Sequence, residues 1–389
     1  MDVSKFTKNK TGKLVSITGV SGLDHAFIPD PLPPNWAWPT RLWPLLLDAR
    51  TSLAKLDGIG KHLPNPHLLL RPLQNRESLR SSRLEGTYTT PKQQLLFQID
   101  PQYRSSETAS ANGDREVYNY GRALRLYAEN QHELPLSLRL IRDLHRVLME
   151  GVRGADRRPG GFRKTQNQIG HPARFVPPSP DYLPDCLDNL EKYLYQESVY
   201  DPLVKAFVVH YQFEAIHPFQ DGNGRVGRLL LAIVIQEWCQ LSDPWLYMSA
   251  FFDANRDEYI DRLFRVSTEG DWDGWIEFCL NGVVLQARDT EDRCERLLDL
   301  EREFKDRVPP VRGRHRINMI VEDLFITPVV QIPPIAERLG VRYQTAQSDI
   351  ENLVSIGILE EMQGTSQKTY FSPKILNITY DDLDYHFSI

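Results

Sequence analysis

Residues 216–228 read IHPFQDGNGRVGR. This polar, glycine-rich stretch separates two apolar runs of helical length. Upstream lies Asp201–Ala215 (DPLVKAFVVHYQFEA), and downstream lies Val226–Trp238 (VGRLLLAIVIQEW). In the second run Leu229, Leu230, Ile233 and Val234 recur at helical spacing. Pro218 ends the first helix, because its ring fits poorly inside one. Gly222 and Gly224 permit backbone conformations that a Cβ forbids. The pattern predicts helix, tight loop, helix.

Such a loop has the physics of an anion site. Consecutive backbone N–H groups in a Gly-Asn-Gly turn form a concave nest, and the second helix points its positive end into it. Arg225 and Arg228 share one face of the first turn and can grip phosphate oxygens in forked pairs. Asp221 adds a carboxylate, and Mg²⁺ on a bound phosphate takes one or two protein oxygens at most. His217 stands at the lip, where an imidazole can accept a proton near neutral pH. Singly, these features are an ordinary turn and solvated charges. Together they make a base, a metal ligand, a nest and two clamps.

The stretch resembles the Fic signature HxFx(D/E)GNGRxxR at every fixed position: His217, Phe219, Asp221, Gly222, Asn223, Gly224, Arg225 and Arg228. No GxxxxGK(S/T) phosphate loop occurs. The resemblance implies a mainly α fold, a Fic-type helical bundle with a β-hairpin flap. It also implies transfer of AMP from ATP to a Tyr, Thr or Ser hydroxyl of a protein, itself included. His217 would then deprotonate the hydroxyl, and Asp221 would hold Mg²⁺. ATP would lie on Pro218, Phe219, Gln220 and the residues that follow, with Asn223 and the loop amides on the α- and β-phosphates. Arg225 and Arg228 would hold the β/γ end. A branch of the family with Lys at the second glycine is a phosphotransferase; Gly224 favours AMP transfer.

Residues 72–86, PLQNRESLRSSRLEG, carry Pro72 at a helix-start position and Gly86 at a helix-stop position. Ser81, Glu85 and Gly86 resemble the inhibitory pattern (S/T)xxxE(G/N) of many Fic proteins. That resemblance implies that Glu85 pairs with Arg228, occupies the γ-phosphate clamp and misaligns ATP. In some relatives this glutamate also orients a water that removes AMP.

Composition sets the outer bounds. The chain has 389 residues, 41% hydrophobic and 25% charged, with net charge −6. These values suit a globular chain of two or three domains and give no global sign of a nucleic-acid or anionic-membrane partner. Cys186, Cys239, Cys279 and Cys294 form no CxxC pair, so zinc and a disulfide framework are not expected. No run approaches the roughly 18 apolar residues of a membrane span, and the first residues lack a signal core. A cytoplasmic location is expected.

Three regions are expected: an N-terminal arm and inhibitory-helix region over 1–100, a Fic core over 101–307 and a winged-helix-like domain over 311–389. Pro29, Pro31, Pro33 and Pro34 keep residues 1–34 extended. Trp36, Trp38 and Trp43 read as a patch that anchors this arm, and a helix is expected over Leu42–Leu56, closed by Gly58 and Gly60. Residues 100–112 read as a polar loop. Residues 151–183 lose helical period; 166–169 and 174–176 can pair around 170–173. The family flap has this appearance, which implies that Ile169 and Gly170 lie nearest the ligand and that a target protein adds a strand there. Asn255 and Tyr259, four apart, can form an adenine pocket, or a helix cap and a core residue. His145 reads as structural. Residues 285–307 suit a charged connecting helix.

In the last region a helix near 317–325, two further helices and a two-stranded wing resemble a winged helix. Seven Lys/Arg stand there against ten Asp/Glu. The would-be recognition helix offers Arg342, Gln344, Thr345, Gln347 and Ser348 beside Asp349 and Glu351. A DNA reader is normally basic on that face, so dimerisation or target recruitment is favoured over DNA binding. Two rival functions stay open: a DNA-binding regulator that senses nucleotide, and a Fic enzyme using another nucleotide.

Overall fold

The computed structural model describes residues 1–6, 11–17, 23–61, 65–100, 110–130, 135–152, 158–311 and 313–383. The polar loop expected at 100–112 falls outside these between 101 and 109. The arm forms an antiparallel pair, β1 (Gly12–Ser16) with β2 (His25–Pro29), in which Leu14 faces Phe27. Phe27 N–H donates to Val176 O at 2.8 Å, so β2 runs beside the stem of the flap. Trp36 packs against Tyr200 and Trp272 and donates from Nε1 to Asp273. Trp43 stays exposed.

The helices follow in order. They are α1 (Trp43–Lys61), α2 (His67–Leu84), α3 (Pro91–Ile99), α4 (Ser110–Asn130), α5 (Leu138–Leu148), α6 (Leu183–Tyr195), α7 (Pro202–Ile216), α8 (Asn223–Cys239), α9 (Ser249–Ala254), α10 (Arg256–Glu269) and α11 (Trp272–Arg307). The first expected helix end is wrong: α1 continues through Gly58 and Gly60. Gly60 lies against the Trp245 indole, where a Cβ would collide, so its value is close approach rather than a stop. Pro72 likewise sits inside α2 rather than at its start. Leu68, Leu69 and Leu70 are buried and pull the helix one turn upstream. Only the hydrogen bond that Pro72 cannot donate is lost. The segments read separately around Trp275 and 285–307 are one 36-residue helix, about 54 Å long at 1.5 Å per residue.

Helix α7 is buried on nearly every side, from Leu203 through Ile216, which accounts for its uniformly apolar sequence. It packs along α8, and these two helices form the centre of the bundle. The flap hairpin is narrower than expected. It closes on one bridge, Ile169 with Phe175. The flanking amides are spent elsewhere: Gln166 donates to Pro177 O and Asn167 to Phe219 O.

The C-terminal region continues with α12 (Arg314–Ile326), β3 (Val329–Gln331), α13 (Ile332–Leu339), α14 (Tyr343–Ser355), β4 (Glu360–Met362), β5 (Thr369–Phe371) and α15 (Pro373–Tyr380). The strands form one antiparallel sheet in the order β3-β5-β4. The chain after α15 is pinned to the bundle. Asp382 accepts from Arg76 at 2.6 Å and from Arg80 at 2.7 Å, both on α2. Asp381 accepts from Arg293 at 2.6 Å and Arg296 at 3.0 Å on α11. Arg76, Arg80 and Arg293 are buried. Arg76 also pairs with Asp289 and Arg80 with Asp253, so losing one carboxylate strips only part of their compensation. Asp382→Ala is expected to lower folding stability by about 1–3 kcal/mol, read by denaturant unfolding; an unchanged midpoint would contradict this anchoring.

Candidate functional site

The site is built where α7 stops. Asp201 caps the helix start by accepting from Leu203 N–H, and Pro202 occupies the first turn. At the other end His217 adopts left-handed backbone angles, φ 50° and ψ 60°, which turn the chain sharply out of the helix. Gly222, at φ 77°, turns it again into α8. Between them Asn223 closes the loop on itself. Its Oδ1 accepts from Phe219 N–H and its Nδ2 donates to Phe219 O, both at 2.8 Å. The loop is therefore preformed, with α8 starting at its end.

Further contacts brace this loop. His145 of α5 stacks on Phe219, ring centroids 3.8 Å apart. Its Nδ1 accepts from Gly160 N–H at 2.8 Å, so its Nε2 carries the proton and donates to Asp221 O at 3.1 Å. Burial holds this imidazole neutral, down to about 4. Arg163 is buried without a carboxylate partner among the described residues. It donates instead to carbonyls of His217, Thr165 and Pro178, and its N–H to Pro218 O. Thr165 donates to Gln220 Oε1. The flap stem and the loop are thus one hydrogen-bonded body.

Arg228 reaches away from the loop toward α2. Its Nε donates to Ser81 Oγ at 2.9 Å, and its Nη2 donates to Ser81 O and to Glu85 Oε1, both at 2.8 Å. Glu85 caps the C-terminus of α2, and Gly86 follows at φ 83°. Burial pushes the Glu85 carboxyl up, but the Arg228 charge and hydrogen bond override it and hold it below its ordinary value. Gly224 makes room for this pair, because a Cβ there would overlap Glu85 Oε1. Arg225 does not stand beside Arg228 as the spacing suggested. It turns to α4 and donates to Glu116 at 2.6 Å. Glu116 in turn accepts from Thr87 at 2.9 Å.

A cavity of about 230 Å³ opens beside these groups. Its walls include His217, Gly224, Glu85 and Arg228, Ile169 and Phe175 from the flap, and Tyr259, Leu263 and Phe264 from α10. His217 lines it as a neutral imidazole, lowered by burial to about 4, with the Glu214 backbone beside the ring. Asp221 has its side chain 42% exposed and accepts from Gly222 N–H at 2.7 Å. No group of three or more His, Cys, Asp or Glu that could hold a metal ion exists among the described residues. A single exposed carboxylate fits a cation held mostly by phosphates and water, not one caged by protein.

Asn255 and Tyr259 do not converge on a pocket. Asn255 Nδ2 donates to Phe251 O at 2.9 Å, at the junction of α9 and α10. Tyr259 lines the cavity but is 5% exposed and joined to His210 Nε2 at 2.9 Å. Helix capping and core packing account for both. Gly170, at φ 83°, makes the flap turn, and Ile169 alone of the flap pair lines the cavity.

Comparison with known proteins agrees with this geometry. Residues 135–235 match the Fic/DOC family and residues 43–128 match the Fic/DOC family N-terminal segment. Residues 135–235 of this chain carry a Fic/DOC-family domain. Its Fic segment spans α5 to α8 and therefore carries the flap, His217 and both arginines; the N-terminal segment carries α2 with Glu85. A probable protein adenylyltransferase of Aquifex aeolicus is 39% identical over 112 residues, covering 29% of this chain and 32% of that protein. Protein adenylyltransferase fic-1 of Caenorhabditis elegans is 35% identical over 102 residues, covering 26% of this chain and 19% of that protein. The chain thus spans a third or less of the length of these relatives. Among solved structures, a Fic family protein from Desulfovibrio desulfuricans aligns with TM-score 0.56 at 19% identity, covering 88% of this chain and 98% of that one. Fic-1 of C. elegans aligns at 0.52 and 22% identity, over 68% of this chain and 74% of the other. These two likenesses concern the fold.

Two carboxyls of the Fic core escaped the sequence reading. Glu77 is buried and raised to about 7, with hydrogen bonds from Ser249 and Tyr120 pulling it part-way back. Glu214 is raised by burial to about 8. Both bind a proton more tightly folded than at the ordinary 4.5. Their stabilisation is complete below that value and is lost as pH rises through 7 to 8. The neutral histidines 145, 210 and 217, all depressed, lose theirs only as pH falls below 6.5. The midpoint of thermal unfolding is therefore expected to drop between pH 6.5 and 8.5, and a flat profile there would contradict these two burials.

Proposed function

We propose that this protein transfers AMP from ATP to a hydroxyl side chain of a target protein, itself included, and that Glu85 restrains the reaction. The supporting observation is the shared cavity. A neutral His217, Gly224 at the start of α8 and an arginine already gripped by an internal carboxylate all face one space. ATP would lie along the loop from Pro218 to Gly224, with its phosphates on the loop amides and the start of α8. The His217 imidazole would accept the target hydroxyl's proton. The hydroxyl oxygen bonds to the α-phosphorus, the bond to the bridging oxygen breaks, and pyrophosphate leaves. Asp221 would hold Mg²⁺, which when bound neutralises phosphate charge. The target segment would lie along the flap edge near Ile169 and Gly170.

Glu85 would act as a substitute anion. While its carboxylate holds Arg228, the γ-phosphate has no clamp and the α-phosphorus stays out of line. Arg225 is the less direct ligand in this reading, since it must part from Glu116 before it meets phosphate. For residues 311–383 we favour a winged-helix module used in recruitment or self-association. Asp349 turns inward to Arg316 at 2.9 Å, yet α14 still shows solvent Glu351 beside Arg342. That face is not the basic surface a DNA reader needs. No described helix is long and apolar enough to cross a membrane.

The donor is tested by competition. The purified chain, incubated with Mg²⁺ and α-labelled ATP, is expected to retain label on protein that excess unlabelled GTP, CTP or UTP does not displace. Displacement by one of these would reassign the donor.

A further inference from the structure

Glu214 plays no part in the reaction above, yet its carboxyl stands on the wall of the same cavity. It projects from the last turn of α7, three residues before His217. Its Oε1 is buried and has no hydrogen-bond partner among the described residues. The oxygen occupies the space a Cβ would take at Gly227, so the glycine in the second turn of α8 admits it. The neighbours that bear on its charge are Arg228 of α8, Glu85 of α2 and Tyr259 of α10. Each is already engaged: Arg228 by Ser81 and Glu85, and Tyr259 by His210. A buried polar group without a partner is a desolvation cost that folding alone does not recover. The carboxyl lines the cavity, so its other oxygen is the one a ligand can reach.

We infer that Glu214 is a nucleotide-binding residue, a neutral carboxyl whose O–H donates a hydrogen bond to a phosphate oxygen of the bound nucleotide. This rests on the nucleotide reading above and adds a contact to it. Its place beside Arg228 and His217 puts it at the phosphate end of the cavity rather than the apolar end formed by Leu263 and Phe264. Only the protonated form suits that position, because a carboxylate would repel the phosphates in a low-dielectric site. Burial keeps the proton on near neutral pH. A neutral carboxyl has one donor and one acceptor face. The acceptor side abuts Gly227, and the donor side is left for the ligand.

The test is the pH dependence of Mg-ATP affinity, measured by titration calorimetry on the full chain between pH 6.5 and 9.5. The parent protein is expected to lose affinity by about tenfold per pH unit once Glu214 ionises. Glu214→Gln keeps an N–H donor and cannot ionise, so its affinity is expected to hold level over that range. Glu214→Ala is expected to bind about tenfold more weakly at pH 7, one lost hydrogen bond. Parallel pH profiles in the parent and Glu214→Gln would overturn the inference. So would an alanine variant that binds as tightly as the parent at pH 7. Loss of ATP binding in all three chains, each folded by circular dichroism, would overturn the nucleotide reading itself.

Discussion

Glu85→Gly is expected to raise the proposed AMP transfer by about ten- to a hundredfold. The size follows from what is removed. The carboxylate pairs with Arg228 at 2.8 Å, and Arg228 is held in place by both oxygens of Ser81. A charge-assisted pair of this kind is worth roughly 1.5–3 kcal/mol, and about 1.4 kcal/mol is a decade of rate. Glu85 is about a third exposed, so solvent screening sets the result toward the lower end. Removing the carboxylate leaves Arg228 buried and unpaired by charge beside an open cavity, which is the state that best attracts a γ-phosphate. The measurement is the initial rate of α-label incorporation per mole of protein. Equal or slower transfer by Glu85→Gly would show that the pair does not restrain the enzyme.

His217→Ala is expected to lower the proposed transfer by about a hundredfold or more, in the parent and in the Glu85→Gly background alike. General-base assistance typically supplies ~10²–10⁴ in rate. The imidazole is placed for this: it is neutral and it lines the cavity. Because the two substitutions act on different steps, the double variant should resemble His217→Ala rather than split the difference. Label incorporation by the four chains, with ATP affinity measured alongside, separates a lost base from lost binding. Substantial transfer by the double variant would move the base elsewhere.

The helix-loop-helix around residues 216–228 was legible because its parts are contiguous. The order of Pro218, Gly222 and Gly224 in the chain is also their order in space. The approach of Glu85 to Arg228 was not legible from spacing, since 143 residues separate them; only the resemblance of Ser81, Glu85 and Gly86 to a known pattern suggested it. Glu116, Arg163 and Glu214 gave no such signal. Each is a single polar residue whose partner lies far along the chain or is absent, and periodicity cannot place it. The charged residue in the buried turn FEAIH was nevertheless a clue, because a carboxylate inside an otherwise apolar run needs a reason. Local stop signals misled where tertiary packing outweighed them, at Gly60 against Trp245 and at Pro72 behind three buried leucines. Arg225 and Arg228 share a helix face, but long side chains follow their carboxylate partners, and Glu116 and Glu85 pull them apart.

The most direct measurement is a paired labelling of the Glu85→Gly chain with Mg²⁺ and ATP carrying label at either the α- or the γ-phosphate. An AMP transferase released from internal restraint places label on protein from the α-position alone. Protein label from the γ-position would mean phosphoryl transfer, and no label from either would contradict the account at its centre.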